Sequence, residues 1–213
     1  MPPSFNAAAI NEKDEHGLTA LMIAARFGYK DRVGWLLDHG AEIDAKSNSF
    51  GETALMLAIQ QGDTAMASLL LERGASVEIE NKYGQSALRM AAWWGRRDVA
   101  ERLLDLGADI SGKNNNGETA LHIAAVMENE DVVRLLLERG ADIDEKDNEG
   151  QTALMLAAAV CRKSEIPALL EQWAEKLEQQ KARELAAELA DFSPALKRDI
   201  PASRPLKIFR PKP

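Results

Sequence analysis

Cysteine is nearly absent from this sequence, since Cys161 is the only one among 213 residues. A single thiol excludes an intramolecular disulfide framework and a zinc site built from several cysteines, and it is typical of a reducing compartment. The chain has no uninterrupted apolar run of the 18 or more residues that a membrane span requires, and residues 1–10 lack the basic end and apolar core of a signal peptide. We therefore expect a cytoplasmic protein that does not act at a membrane.

Motifs that carry chemistry are also missing. The sequence contains no phosphate-binding loop, nucleophile elbow, zinc-protease histidine pair or dinucleotide fingerprint. The acidic run at 142–150 fails as a calcium loop, because Asp147 stands where such a loop requires glycine. His16, His39 and His122 fall at different positions of the repeat described below, which does not favour a metal site. The sequence therefore predicts that the protein is not an enzyme and needs no metal or cofactor.

Negative charge exceeds positive charge outside the C-terminal end. Residues 193–213 carry six basic residues against Asp199 alone, a formal charge of +5, so residues 1–192 carry −13. Binding to a phosphate backbone needs clustered lysine and arginine, so an acidic chain is not expected to bind nucleic acid. A basic partner protein is the expectation that this charge favours.

What the sequence does contain is a unit present in five copies. Each copy follows a leading glycine: Gly17-Leu-Thr-Ala-Leu-Met-Ile-Ala-Ala25, Gly51 to Ile59, Gly84 to Ala92, Gly117 to Ala125 and Gly150 to Ala158. A second element, such as Leu70-Leu-Glu-Arg-Gly-Ala-Ser-Val77, follows four of the copies at a fixed distance. The leading glycines are 34, 33, 33 and 33 residues apart. Together the two elements resemble the ankyrin repeat over roughly residues 10–172.

This resemblance implies an all-α solenoid of helix-turn-helix units with projecting β-hairpin loops. The residue three before each leading glycine is Asp14, Asn48, Asn81, Asn114 or Asp147, which is typical of a tight turn. A threonine or serine two residues after the glycine is expected to cap the first helix. The usual Thr-Pro-Leu-His of the family has alanine for proline throughout, and its histidine occurs only at His122, so its Thr-to-His hydrogen bond is expected once.

The repeats divide the chain into four predicted parts. Residues 1–9 form a short N-terminal cap or a truncated repeat, and residues 10–163 form the array. Residues 164–192 are expected to form a long C-terminal capping helix, from about Glu165 to Ala190, with a coiled-coil partner helix as the alternative. The prolines and basic residues of 193–213 are typical of a flexible tail.

Hairpin tips and ends of first helices, which line one concave surface in ankyrin domains, are the positions that differ most between the copies. Large side chains recur there, and exposed aromatic residues beside polar groups are typical anchors of protein interfaces. The alternative is that one or two of them, Trp93 first, pack between repeats. We predict eight partner-binding residues: Phe27, Phe50, Gln60, Tyr83, Trp93, Trp94, Glu118 and Met127.

The function that follows from the resemblance is a non-catalytic module that binds another protein on its concave face, scaffolding or masking it, and that is a monomer by itself. Two alternatives remain open at this point. One is a bacterial-type inhibitor or immunity protein for a toxin or enzyme. The other is the targeting domain of a larger enzyme or effector.

Overall fold

The structure of the 213-residue chain is a computed structural model that describes residues 9–160 and 165–191, with side chains given for 10–160 and 165–187. Most of the predicted N-terminal cap, Cys161 and the predicted tail lie outside these residues. A short 3-10 helix, Ala9–Asn11, is followed by ten α-helices in the described part. They are α1 (Ala20–Arg26), α2 (Lys30–Asp38), α3 (Ala54–Gln61), α4 (Thr64–Glu72), α5 (Ala87–Trp93), α6 (Arg97–Asp105), α7 (Ala120–Val126), α8 (Glu130–Glu138), α9 (Ala153–Val160) and α10 (Ile166–Asp191).

Helices α1 to α9 pack as two rows. The first helices of the repeats, α1, α3, α5, α7 and α9, each contact the next in that row, and α4, α6 and α8 do the same in a second row. Small residues permit the close approach in the first row: Ala58, Ala91 and Ala124 are fully buried. Leucines such as Leu70 and Leu103 fill the space between the rows. This is an all-α repeat solenoid, as the sequence predicts.

The loops before the first helices are held by the aspartate or asparagine that the sequence singles out. The side-chain oxygen of Asn114 accepts the backbone N–H groups of Asn116 and Glu118, both at 2.9 Å. Asp14, Asn81 and Asp147 accept the corresponding pairs in their own loops. In the described residues these loops form no strands, and the one β-bridge joins Lys13 to Thr19. The hairpins are therefore held by turns rather than by a sheet.

The second loop departs from the prediction that Asn48 holds its turn. There the backbone of Ser47 bonds to Glu52, and Ser47 Oγ accepts the N–H of Glu52 at 3.0 Å. Asn48 instead donates its backbone N–H to the carbonyl of Gly17 in the preceding loop, at 3.2 Å. The prediction for Asn48 is wrong, because the extra residue of this loop is accommodated after the turn begins, which moves the turn position to Ser47.

The predicted helix caps form in most repeats. Thr19, Thr53 and Thr152 accept a backbone N–H three residues on. Ser86 makes no such bond, so its predicted cap is wrong. In the fourth repeat the predicted pair is present: Thr119 Oγ1 lies 2.9 Å from His122 Nδ1.

The buried ring of His122 also joins two repeats. Its Nδ1 accepts the backbone N–H of Thr119 at 3.3 Å, so Nε2 carries the proton and donates it to the carbonyl of Gln151 at 3.1 Å. This hydrogen bond ties the helix start of one repeat to the loop of the next.

The first helices of repeats one to four each end at a residue with positive φ. Gly28, Gly62 and Gly95 hold this position in the first three repeats, with φ of 75°, 74° and 63°. Glu128 holds it in the fourth, with φ of 57°. It is the one residue other than glycine with positive φ in the described part of the chain. A side chain in this conformation is strained, so the fourth helix end is the least relaxed of the four.

Helix α10 spans nearly the predicted residues. Its first turns contribute Ile166, Leu169 and Leu170 to the buried set of the unit that extends to Glu171. Residues from Gln172 onward form a second unit. In that unit none of the described side chains, up to Ala187, is buried, and Lys176 Nζ lies 4.6 Å from the centre of the Trp173 ring. The capping role of this helix stays a prediction.

Candidate partner-binding groove

A groove of about 470 Å³ runs along the loop side of three consecutive repeats. Loops before α3, α5 and α7 form one wall, and the C-terminal ends of α3 and α5 form the other. We call it the aromatic groove. Its lining residues are Phe50, Glu52, Gln60, Asn81, Tyr83, Gln85, Met90, Trp93, Trp94, Asn114, Asn115, Asn116 and Glu118.

The two tryptophans lie at the end of α5. Trp93 is the last residue of that helix and Trp94 caps it, and their exposed fractions are 45% and 38%. The helix end is fixed to the next repeat, because Asn129 Nδ2 donates to the carbonyls of Ala92, at 2.7 Å, and Trp93, at 3.1 Å. The backbone beneath both rings is therefore held in place while much of their surface stays open to solvent.

Phe50 and Tyr83 supply the aromatic surface of the opposite wall. Each directly precedes the leading glycine of its loop, and their ring centres are 6.1 Å apart. Neighbouring loops bond to each other at these residues, since Phe50 accepts the N–H of Lys82 and Tyr83 accepts that of Asn115. Both rings are at least half exposed. The loop register thus places two rings side by side on one wall.

Two carboxylates face the same groove. Glu118 is half-buried, and its Oε2 accepts Asn114 Nδ2 at 2.7 Å and Asn116 Nδ2 at 3.4 Å. Burial raises the pKa of Glu52, while the nearby charge of Arg26 partly lowers it. The groove therefore holds one carboxylate oriented by amides and another whose charge is disfavoured in the free protein.

The structure brings together six of the eight residues predicted from the sequence. Phe50, Gln60, Tyr83, Trp93, Trp94 and Glu118 line the aromatic groove. Phe27 and Met127, which cap α1 and α7, do not line it. Phe27 lies against Tyr29, with ring centres 6.2 Å apart, and Met127 is half-buried.

The eight residues predicted from the sequence do not include several polar residues that line the groove in the structure. Asn81 and Asn114 hold turns and also line it, and Asn115 lies one residue further along its loop. Met90, inside α5, contributes from below. The sequence signal for Asn81 and Asn114 is their turn position, which accounts for their presence without indicating a contact surface.

Comparison of the sequence with known families identifies the class of protein to which the chain belongs. The sequence profile described as ankyrin repeats (three copies) matches residues 21–114 and 108–180. The chain belongs to the ankyrin-repeat family. Repeats of this family generally serve as non-catalytic modules that bind other proteins. No curated protein sequence matches the chain.

Over residues 9–160 and 165–191, no helix is both long and apolar enough to cross a bilayer. Within those same ranges, no group of three or more His, Cys, Asp or Glu side chains is arranged to hold a metal ion.

Proposed function

We propose that this protein binds another protein in the aromatic groove and acts through that binding, by scaffolding or masking its partner. The observation that carries the proposal is the convergence of four partly exposed aromatic rings, from two adjacent repeats, on one groove. An exposed apolar surface rimmed by polar groups is a typical interface, and large rings lose little rotamer freedom when a partner covers them.

The array is suited to this role because the aromatic residues proposed to bind the partner are different from the buried residues that stabilise the repeats. Trp93 and Trp94 stand on a helix end that Asn129 fixes, whereas the stability of the stack rests on buried leucines such as Leu103. As central anchors, the tryptophans are expected to contribute roughly 2 kcal/mol or more each to binding, measured by alanine truncation. We expect the protein to act as a monomer in the cytoplasm, without nucleic acid.

The test is a pull-down from the source cells with the tagged protein and its Trp93→Ala/Trp94→Ala variant. The variant should lose the partner while its urea unfolding stays close to that of the wild type. Trp35→Ala is the matched control, since Trp35 is 43% exposed on α2, outside the groove. Loss of Leu103 should instead lower the free energy of unfolding by roughly 2–5 kcal/mol. Unchanged capture by the double variant, or its unfolding, would contradict the proposal.

A further inference from the structure

The charge of the aromatic groove has one sign. Glu52 and Glu118 are its only charged lining residues among the described ones, and no lysine, arginine or histidine lines it. Neither carboxylate has a basic nitrogen within 4 Å in the described part of the chain. Glu118 therefore carries a charge that the protein does not pair, whereas Glu52 has the charge of Arg26 nearby, outside the groove lining and beyond ion-pair distance.

The hydrogen-bonding groups of the groove include open acceptors. Glu118 uses Oε2 for both of its amide bonds, and Oε1 accepts none from the described residues. Gln85 Oε1 also has no hydrogen-bond partner in the described residues, but it is buried, so a ligand in the groove does not reach it. A ligand rich in N–H groups would donate to the open oxygen of Glu118, and hydrogen bonds to a charged acceptor are stronger than those to a neutral one.

The aromatic rings are a third feature of the groove, and they favour a positively charged ligand. The faces of tryptophan and tyrosine carry negative electrostatic potential and attract cations, most strongly where water is excluded. Trp93, Trp94 and Tyr83 line the groove together with Glu118. Aromatic faces, carboxylates and amide oxygens thus surround one space.

We propose that the aromatic groove binds an arginine side chain on an exposed segment of the partner protein, an inference that rests on the proposed function. A guanidinium is planar, stacks on aromatic rings and offers five N–H donors, two of which can meet one carboxylate. A lysine ammonium offers a point charge and three donors, and it stacks poorly. Carboxylate and amide oxygens beside aromatic rings fit the guanidinium better.

Titration with peptides, followed by NMR of the tryptophan indole N–H signals, tests this directly. The probe is a nine-residue Gly/Ser/Ala peptide with one central arginine, compared with the same peptide carrying citrulline or lysine. Citrulline keeps the shape of arginine and removes its charge. The arginine peptide should shift the Trp93 and Trp94 signals saturably, and the citrulline and lysine peptides should bind at least tenfold more weakly. Binding of the citrulline or the lysine peptide as tight as that of the arginine peptide, or no saturable shift up to 10 mM arginine peptide, would overturn the proposal.

Isosteric variants locate the charge that matters. Glu118→Gln and Glu52→Gln should each weaken the arginine peptide at least fivefold and leave the citrulline peptide unchanged. Glu149→Gln is the matched control, because Glu149 is exposed on a neighbouring loop outside the groove. If all three variants weaken binding equally, the peptide is attracted by the overall negative charge of the protein and not by the groove, which would contradict the proposal. If the arginine peptide does not bind, while the Trp93→Ala/Trp94→Ala variant still loses its partner in the pull-down, the proposed function stands. Only the assignment of an arginine side chain as the ligand of the groove is then wrong.

Discussion

Arg89 presents the sharpest test of how this array tolerates a buried charge. It lies on α5 at the position that Met22, Met56, His122 and Met155 hold in the other repeats. Its side chain is 3% exposed, donates to the carbonyl of Gly84 from Nε at 3.0 Å and Nη2 at 2.6 Å, and forms an ion pair with Glu80, whose side chain is 48% exposed. One partner of the pair is therefore buried and the other is reached by water.

This asymmetry predicts that losing the exposed partner costs more than losing the buried one. Glu80→Ala leaves a buried guanidinium without its counter-charge, which should lower the free energy of unfolding by about 3 kcal/mol, at the low end for broken buried pairs because water reaches Glu80. Arg89→Met replaces the charged side chain with a shorter, unbranched apolar one, the residue that three of the other repeats have at this position. Its cost should be about 1 kcal/mol, mainly from the Gly84 carbonyl left without a donor.

Urea unfolding followed by circular dichroism, at neutral pH, measures both changes and that of the double variant. Once Arg89 is methionine, Glu80→Ala should cost almost nothing more, so the double variant should match Arg89→Met. Glu130→Ala is the control: its partner Arg134 is half exposed, and losing that pair should cost under about 1 kcal/mol. A Glu80→Ala variant as stable as Arg89→Met would refute the reasoning.

Two further predictions concern stability. Because burial raises the pKa of Glu52, its charge opposes folding: the stability present below its unfolded pKa is lost as pH rises through its folded pKa. Glu52→Gln should therefore raise the free energy of unfolding at pH 7 and have a much smaller effect near pH 3; urea unfolding at both values checks this, and an equal gain at both would contradict it. Glu128→Gly should stabilise by about 1 kcal/mol by relieving the strain of positive φ, and no gain on urea unfolding would show that the helix end is unstrained.

Local patterns in the sequence were enough to predict the repeat fold. Helix ends and turns depend on residues close in the chain, so they can be predicted without the structure. Examples are the helix ends at Gly28, Gly62 and Gly95 and the turns at Asn81 and Asn114. Counting back from the glycine failed at Asn48, because a loop with one extra residue can absorb it on either side of its turn. With the turn at Ser47, the backbone N–H of Asn48 donates to the carbonyl of Gly17 in the preceding loop.

The sequence by itself therefore determined the fold class, most turn positions and six residues of the candidate groove, since repeat phase assigns each of them a place in its unit. Only the tertiary structure decided which of the predicted residues lie next to one another in the groove. Phe27, Trp94 and Met127 all cap first helices, yet only Trp94 lines the aromatic groove. The reason is physical: a groove is formed by side chains of neighbouring repeats together, and its size depends on what each neighbour contributes.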